Sequence, residues 1–215
     1  MKTVALKIVN AHKVYAPTKI EDLDEKRLVP KMMMRRRLTR NAKVMIYLSD
    51  KCEFEGGKVV YGSCYSELEE TSKIADAVVC EIPISPTSFQ NSVYNTAPSY
   101  FSLLKQDKDE IITISSGSKT SLDALKTAAL QALVSGERVL CVAIECINIK
   151  NIDEINRCAR YLEAGVGVVV EIADTQDGAK DIQPSKMVGI IDSLKDLMGV
   201  AEMYENDIDK ILIEL

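Results

Sequence analysis

The sequence predicts an α/β protein with a mixed sheet flanked by helices. Residues 111–114 form a short apolar strand, and residues 138–147 form a nearly continuous apolar run, typical of a strand buried on both faces. Between them, residues 122–134 repeat apolar side chains at helical spacing, and Gly136 follows at a natural helix end. Strand, helix and strand joined by short connections make a βαβ unit, which places the chain in the α/β class.

The segments before this unit alternate between strand and helix patterns. Residues 4–9 and 58–65 are typical of strands, because apolar and β-branched residues alternate or cluster there. Residues 38–50 and 68–79 have helical spacing. Residues 16–30 carry charges and prolines and are predicted to be an irregular connection.

The segment 85–104 is predicted to form one helix with a packed face. Ser85 or Thr87 is a candidate cap, and Pro86 is tolerated in the first turn. Apolar residues then recur at steps of three and four, as far as Leu104. Pro98 is expected to bend or interrupt this helix.

The C-terminal third is predicted to contain one more strand and two helical regions. Residues 153–162 favour a short helix, and residues 165–172 favour a strand. Residues 174–185 form a polar loop, and residues 187–213 are predicted to be largely helical. Residues 1–215 are treated as a single domain, which is long enough to bury a real core.

Composition excludes several function classes. A net charge of -5 argues against a nucleic-acid-binding protein. No apolar run is long enough to cross a membrane, and the N-terminus lacks the pattern of a signal peptide, so we expect a cytoplasmic protein.

The cysteines and the histidine limit the chemistry further. None of the six cysteines forms a CxxC pair, so we expect no metal site, no cofactor, and reduced cysteines that pack as small apolar residues. His12 is the only histidine and is expected at the surface or in a loop. A mechanism that needs two histidines from this chain is therefore excluded.

Four segments, in this order, resemble the β-ketoacyl synthase N-terminal-like family of the thiolase-fold group. They are RRRLTR at 35–40, SPTSFQNSVYN at 85–95, the stretch 121–140 that begins SLDAL and ends GERVL, and GVGVVVE at 165–171. The resemblance is strongest over residues 30–172. It implies a thiolase-like half, equivalent to the N-terminal half of a β-ketoacyl synthase.

The resemblance also implies where a nucleophile would stand. In a working synthase the turn after strand 111–114 carries a cysteine, at a helix N-terminus that favours thiolate and can hold an oxyanion. Here the turn is SSGSKTS, and Ser118 lies near the cysteine position. The family's two catalytic histidines belong to a second half that this chain is expected to lack.

Two interpretations of Ser118 remain open. As a nucleophile it would need a base within hydrogen-bond reach, and the adjacent Lys119 is expected to point elsewhere. The favoured alternative is helix capping by Ser118, Thr120 or Ser121, with Asp123 stabilising the first turn.

The family resemblance implies an acyl pocket and a docking site for an acidic acyl carrier protein. The acyl-pocket candidates are Ser116, Gly117, Ser118 and Phe89. The docking candidates are Arg35, Arg36, Arg37 and Arg40, since a basic patch steers an acidic partner. The alternative for these arginines is a solvated helix end that pairs with the chain's own acids. The methionines at 32–34 are candidates either for lining a flexible pocket or for filling the core.

Thiolase-fold proteins are typically dimers, and the resemblance implies a homo- or heterodimer through strand 138–147. The leading hypothesis is a non-catalytic β-ketoacyl-synthase-like protein that binds acyl carrier protein or a full-length synthase. It would act beside a fatty-acid- or polyketide-type pathway, such as one making an aryl polyene pigment. The alternatives are a serine-dependent acyltransferase or hydrolase that uses Ser118, and an oligomeric scaffold without a ligand.

Overall fold

The computed structural model describes residues 2–149 and 159–215 and contains one mixed sheet with helices on both faces. The strands are β1 (Thr3–Ala16), β2 (Val59–Gly62), β3 (Ile111–Ile114), β4 (Val139–Cys146), β5 (Glu163–Ile172), β6 (Lys180–Asp181) and β7 (Lys210–Glu214). The helices are α1 (Glu25–Leu28), α2 (Met32–Arg37), α3 (Arg40–Lys51), α4 (Leu68–Val79), α5 (Pro86–Asn91), α6 (Thr96–Lys105), α7 (Thr120–Ser135) and α8 (Lys195–Glu205).

The strands lie in the order β3-β2-β4-β5-β1-β7-β6. β2 runs parallel to both β3 and β4, and β7 runs parallel to β6. β5 is antiparallel to β4 and to β1, and β1 is antiparallel to β7. The predicted mixed sheet is therefore confirmed, and its parallel part is the one that contains the β3-α7-β4 unit.

β4 lies inside the sheet, which explains its continuous apolar run. One set of alternate residues, centred on Cys141, belongs to the core formed with α7 and α8. The other set, centred on Val142, belongs to the core formed with α3 and α6. All eight residues of the strand are buried, as the pattern predicted.

Two glycines in β5 let α3 approach the sheet closely. A Cβ atom at Gly165 would lie 2.8 Å from Cγ1 of Val44, and one at Gly167 would lie 3.2 Å from the sulfur of Cys52. The valines that alternate with these glycines face the opposite core, against α7 and α8. The glycine-valine pattern of this strand thus sets the spacing between the sheet and α3.

The prediction that strand 138–147 pairs across a dimer interface is wrong, because β4 has no free edge. It pairs with β2 on one side and with β5 on the other. Within the described residues, β3 pairs only with β2 and ends the sheet on that side. An edge strand is the one whose backbone groups remain available to another chain.

The C-terminal prediction is also wrong in part. Residues 187–213 were expected to be largely helical, but the structure has α8 followed by the strand β7. β7 alternates buried and less buried residues and hydrogen-bonds to β1. The strand β1 is itself longer than the predicted 4–9 and extends to Ala16. The open edge of β1 therefore decides the conformation of a segment whose local pattern is ambiguous.

The predicted helix 85–104 is divided into α5 and α6. Ser85 caps α5 as expected, because its hydroxyl accepts a hydrogen bond from the amide of Ser88. Residues 92–95 separate the two helices, and Pro98 stands in the first turn of α6, where its missing N–H costs little. Most of the predicted helix 153–162 lies outside the described residues, and residues 159–162 are not helical.

The remaining helix predictions agree with the structure. α3, α4 and α7 occupy the predicted segments, and Gly136 ends α7 with a positive φ of 70°. Among the described residues, no helix is long and apolar enough to cross a membrane.

Candidate functional site

The candidate site lies where the carboxyl ends of β2, β3 and β4 meet. These three parallel strands end side by side, which is where open α/β sheets usually place their ligands. The amide of Ser63, just after β2, donates to the carbonyl of Ile114 at the end of β3, at 3.1 Å. The turn that follows β3 is therefore next to the loop that follows β2.

The turn after β3 is held together by its own residues. Gly117 has a positive φ of 60° and begins a short 3-10 turn that leads into α7. The buried hydroxyl of Thr120 donates to the Gly117 carbonyl at 2.7 Å and accepts from the Ser116 amide at 3.0 Å. The left-handed glycine and the threonine therefore fix the turn.

Ser118 lies on the outside of this turn. Its side chain is exposed, and within the described residues its hydroxyl makes no hydrogen bond to a base. Of the three predicted capping residues, Thr120 is the one that stabilises the turn, while Ser121 lies 3.5 Å from a carboxylate oxygen of Asp196. Ser118 thus has neither a capping partner nor an activating one.

Phe89 does not join the other acyl-pocket candidates. It is 66% exposed and lines a cavity of about 550 Å³ between α4 and α5, together with Cys64, Leu68 and Tyr94. Ser116, Gly117 and Ser118 do not line that cavity and are all exposed. The four predicted pocket residues therefore belong to two separate surfaces.

Glu145 is the main feature of the site that sequence reasoning missed. It stands near the end of β4 and is fully buried. One carboxylate oxygen accepts from the Cys64 amide at 2.6 Å and the Ser193 hydroxyl at 2.7 Å. The other accepts from the Ser63 hydroxyl at 3.0 Å and the Tyr65 amide at 3.1 Å. This carboxylate fastens the loop after β2 and the turn before α8 to the central strand.

The same carboxylate affects the thiol of Cys64. Burial raises the pKa of Glu145, and its four hydrogen-bond donors oppose that shift. Partial burial and the charge of Glu145 raise the pKa of the Cys64 thiol. Because the thiolate is the reactive form of cysteine, Cys64 is a poor substitute for the missing nucleophile.

Glu67 is a second buried carboxyl group, at the start of α4. It accepts a hydrogen bond from the Thr39 hydroxyl at 2.8 Å and is 5% exposed. Burial raises its pKa to about 8, and the charges of Glu70 and Glu69 add to the shift. Beside it, the side-chain amide of Asn41 donates to the Ser66 carbonyl at 2.6 Å, which ties α3 to the same loop.

Arg40 forms a buried ion pair and is not available for docking. Its Nε donates to one carboxylate oxygen of Glu163 at 2.8 Å and its Nη2 to the other at 2.5 Å. Nη2 also donates to the Ile20 carbonyl, and the Glu163 side chain is 3% exposed. The structure therefore corrects the predicted role of Arg40, which joins α3 to β5.

The side chains of the other three arginines differ in whether they have hydrogen-bond or ion-pair partners. Arg35 folds back onto the chain and donates to the carbonyls of Val29 and Pro30, both at 2.7 Å. Arg36 and Arg37 are exposed and have no ion-pair partner among the described residues. Of the methionines in α2, Met34 lines a cavity of about 430 Å³, whereas Met33 is 70% exposed.

His12 is far from the turn that carries Ser118. It lies in β1, not in a loop, and its ring meets that of Tyr47 edge-on at 5.8 Å. Burial, helped by the charge of Lys51, lowers its pKa. Four strand spacings separate β1 from β3, which amounts to about 19 Å across the sheet. His12 is therefore not the base of a nucleophile at Ser118.

No metal centre is formed by the described part of the chain. It contains no group of three or more His, Cys, Asp or Glu side chains that could hold an ion. Burial raises the pKa of Cys52 to about 12 and that of Cys146 well above its usual range, so both stay thiols. Cys80, in contrast, is exposed. The prediction that this cysteine packs as a small apolar residue is therefore wrong.

Comparison with solved structures shows which proteins share this fold. A ketosynthase (ApeO) in complex with its chain length factor (ApeC) from Xenorhabdus doucetiae matches with a TM-score of 0.70 and 19% identity, over 92% of this chain and 92% of that chain. A β-ketoacyl synthase from Burkholderia phymatum matches with a TM-score of 0.59 and 12% identity, over 80% of this chain and 60% of that one.

A third match is the complex AntDE:AntF, a type II polyketide synthase acyl carrier protein with its ketosynthase. Its TM-score is 0.62 at 12% identity, over 81% of this chain and 64% of that one. At these identities the likeness establishes the thiolase-like fold, and this chain spans less than two thirds of the second and third structures.

The sequence itself establishes the family. The model of the beta-ketoacyl synthase N-terminal domain matches residues 11–186, and the chain belongs to that family. No curated protein sequence matches the chain.

Replacing Arg40 by Met tests whether this arginine is structural. The variant leaves Glu163 buried without its partner, so we expect the free energy of unfolding to fall by about 3–5 kcal/mol. Urea denaturation measures the change. The matched control is Arg36→Met on the exposed helix end, where we expect a change within about 0.5 kcal/mol. Equal effects of the two substitutions would contradict the structural role.

Replacing Glu67 by Gln tests the buried carboxyl group. Its pKa is about 8 in the folded chain, above its ordinary value of 4.5, so the folded chain holds its proton more tightly than the unfolded chain. The resulting stability is present below about pH 4.5 and is lost as the pH rises through 8. We therefore expect the melting temperature of the wild type to fall between about pH 5 and pH 8, and that of Glu67→Gln to fall less over the same range. If the melting temperatures of the two proteins changed equally with pH, the assignment of this pH dependence to Glu67 would be wrong.

Proposed function

We propose that this chain is a non-catalytic ketosynthase-like subunit in a cytoplasmic fatty-acid- or polyketide-type pathway. The observation that carries the proposal is the turn after β3, where the family resemblance leads us to expect a nucleophile. Within the described part of the chain, Ser118 in this turn is exposed and its hydroxyl has no base as a partner. A serine hydroxyl is a weak nucleophile unless a neighbouring group takes its proton. The one histidine of the chain, His12, lies four strands away.

The scaffold around the turn supports a binding role. Thr120 fixes the turn, Glu145 fastens the neighbouring loops, and Arg40 with Glu163 joins α3 to β5. A sheet and helix core of this kind gives a rigid base for holding a partner. The chain length factor and the carrier protein named in the solved complexes indicate two kinds of partner to test.

The proposed dimer uses β3 and not β4. β3 has one unpaired edge within the described residues, and α7 packs beside it with Val134 85% exposed. A second ketosynthase-fold subunit, of the same chain or of a full-length synthase, would extend the sheet at this edge.

The proposed carrier-protein site is the exposed end of α2. Arg36 and Arg37 have no acid to pair with among the described residues, and Lys31 begins the same helix. An acidic carrier protein would be drawn to these charges, and the attraction would weaken as salt is added.

Charge reversal at Arg36 tests carrier binding. We expect the chain to bind the acyl carrier protein of its own organism, and Arg36→Glu to weaken binding at least fivefold at low salt. Lys108→Glu is the matched control, since Lys108 is exposed in the turn between α6 and β3 and pairs with no described acid. Isothermal titration calorimetry at two salt concentrations measures both. Equal affinities of the two variants for the carrier protein would reject α2 as its binding site.

Intact-mass spectrometry tests the absence of catalysis. After incubation with an acyl thioester such as octanoyl-CoA, we expect no acyl adduct on the wild-type chain, because no described residue acts as a base for Ser118. An adduct that disappears in Ser118→Ala would overturn the proposal and support the serine-dependent acyltransferase or hydrolase instead.

A further inference from the structure

A cavity lies between the α1–α2 connection, α3 and the C-terminal end of α6. Its volume is about 430 Å³, within the range of about 300–1,000 Å³ that is usual for small-molecule sites. Most of the side chains that line it are apolar, among them Leu28, Val29, Met34, Ile46, Phe101 and Leu104. Five of these six are aliphatic, so the lining favours an alkyl group. We call it the α2–α6 cavity.

The α2–α6 cavity is separate from the site beside Ser118. Gln106 lines the cavity at the end of α6, and the next residue, Asp107, accepts a hydrogen bond from the Gly57 amide at 2.7 Å. Gly57 comes just before β2, so this end of α6 lies beside the amino ends of β2 and β3. Ser118, in contrast, follows the carboxyl end of β3. None of the four acyl-pocket candidates lines the α2–α6 cavity.

The walls of the cavity are held in place within the chain. Nη1 of Arg35 donates to the carbonyls of Val29 and Pro30, both at 2.7 Å, and so fixes the connection that forms one wall. Ile46 from α3 and Phe101 from α6 are buried. A cavity that exists before its ligand arrives saves the cost of ordering these groups on binding.

The charged side chains of the cavity leave one unpaired cation. Asp50 accepts from two nitrogen atoms of Arg27, at 3.1 and 2.6 Å, and this contact lowers the pKa of Asp50. Nζ of Lys105 lies 3.1 Å from a carboxylate oxygen of Glu55. Lys31 is exposed and has no acid partner among the described residues. Of the three charged residues that line the cavity, Lys31 is therefore the one left to meet an anion.

We infer that the α2–α6 cavity binds a single-chain anionic amphiphile, an alkyl carboxylate. Its chain enters the apolar interior and its head group pairs with the Lys31 ammonium. Each methylene removed from water adds to the affinity, so binding tightens with chain length. The unbranched side chain of Met34 adapts to chains of different length. The inference goes beyond the proposed function and does not depend on it.

Isothermal titration calorimetry of the full chain with hexanoate, octanoate and decanoate tests the inference, with each probe kept below its micelle-forming concentration. A fully buried methylene corresponds to about a fourfold change in the dissociation constant. We expect each added methylene to tighten binding at least twofold. Lys31→Met should weaken octanoate binding at least fivefold and leave the binding of uncharged 1-octanol unchanged, because the substitution removes the charge and keeps an apolar side chain.

Two further variants separate the cavity from the rest of the surface. Leu103→Asp places a carboxylate at the cavity, on a residue that is 67% exposed, and should weaken octanoate binding at least fivefold. Lys186→Met is the matched control, since Lys186 is exposed and does not line the cavity, and it should bind octanoate like wild type. Far-UV circular dichroism confirms that each variant is folded.

Three results would overturn the inference. Affinity for none of the carboxylates, or the same affinity for all three, would reject an alkyl-chain site. Octanoate binding that Lys31→Met and Leu103→Asp leave unchanged would place the ligand elsewhere on the chain. Lys31-dependent binding to phosphatidylglycerol–phosphatidylcholine vesicles, without binding of octanoate, would replace the free amphiphile by a membrane surface.

Discussion

The structure depends most on one buried carboxylate, that of Glu145 at the end of the central strand. A buried charge is tolerated only when its hydrogen bonds are complete, and here two amides and two hydroxyls complete them. The donors come from the loop after β2 and from the turn before α8, so three distant parts of the chain are held at one point. That point lies directly beside the turn in which a condensing enzyme would keep its nucleophile.

The described part of the chain has a polar interior that is costly to bury. Glu163 is paired with Arg40, whereas Glu67 accepts a hydrogen bond from the Thr39 hydroxyl and has no cationic partner among the described residues. Burial is the main reason why the pKa of Glu67 is raised. Such buried pairs rarely add net stability compared with apolar residues of the same size. Here these contacts hold elements in position, because each fixes one helix or loop against the sheet.

Much of the fold follows from local pattern, and the errors have a common cause. The buried run of β4 and the glycine at the end of α7 predicted their elements, because a strand in the sheet interior and a left-handed helix end each leave a local signature. The segment that became β7 was wrongly assigned to a helix, since its partner strand lies about two hundred residues away in sequence. Glu145 carried one usable signal, a single charge inside an apolar strand. The donors from the loop after β2 are 80 or more residues away from it in the sequence. The hydrogen bonds to Glu145 therefore could not be predicted from local pattern.

The sequence by itself determined the α/β unit, the cysteine-free turn near Ser118 and the single histidine, because each is a property of residues that are neighbours or of composition. Only the tertiary structure decided which arginine of the cluster is buried, which strand has an open edge, and that Phe89 and Ser118 lie on different surfaces. The physical reason is that burial and ion pairing depend on what the folded chain brings alongside a residue, whereas periodicity depends on the residue's own segment.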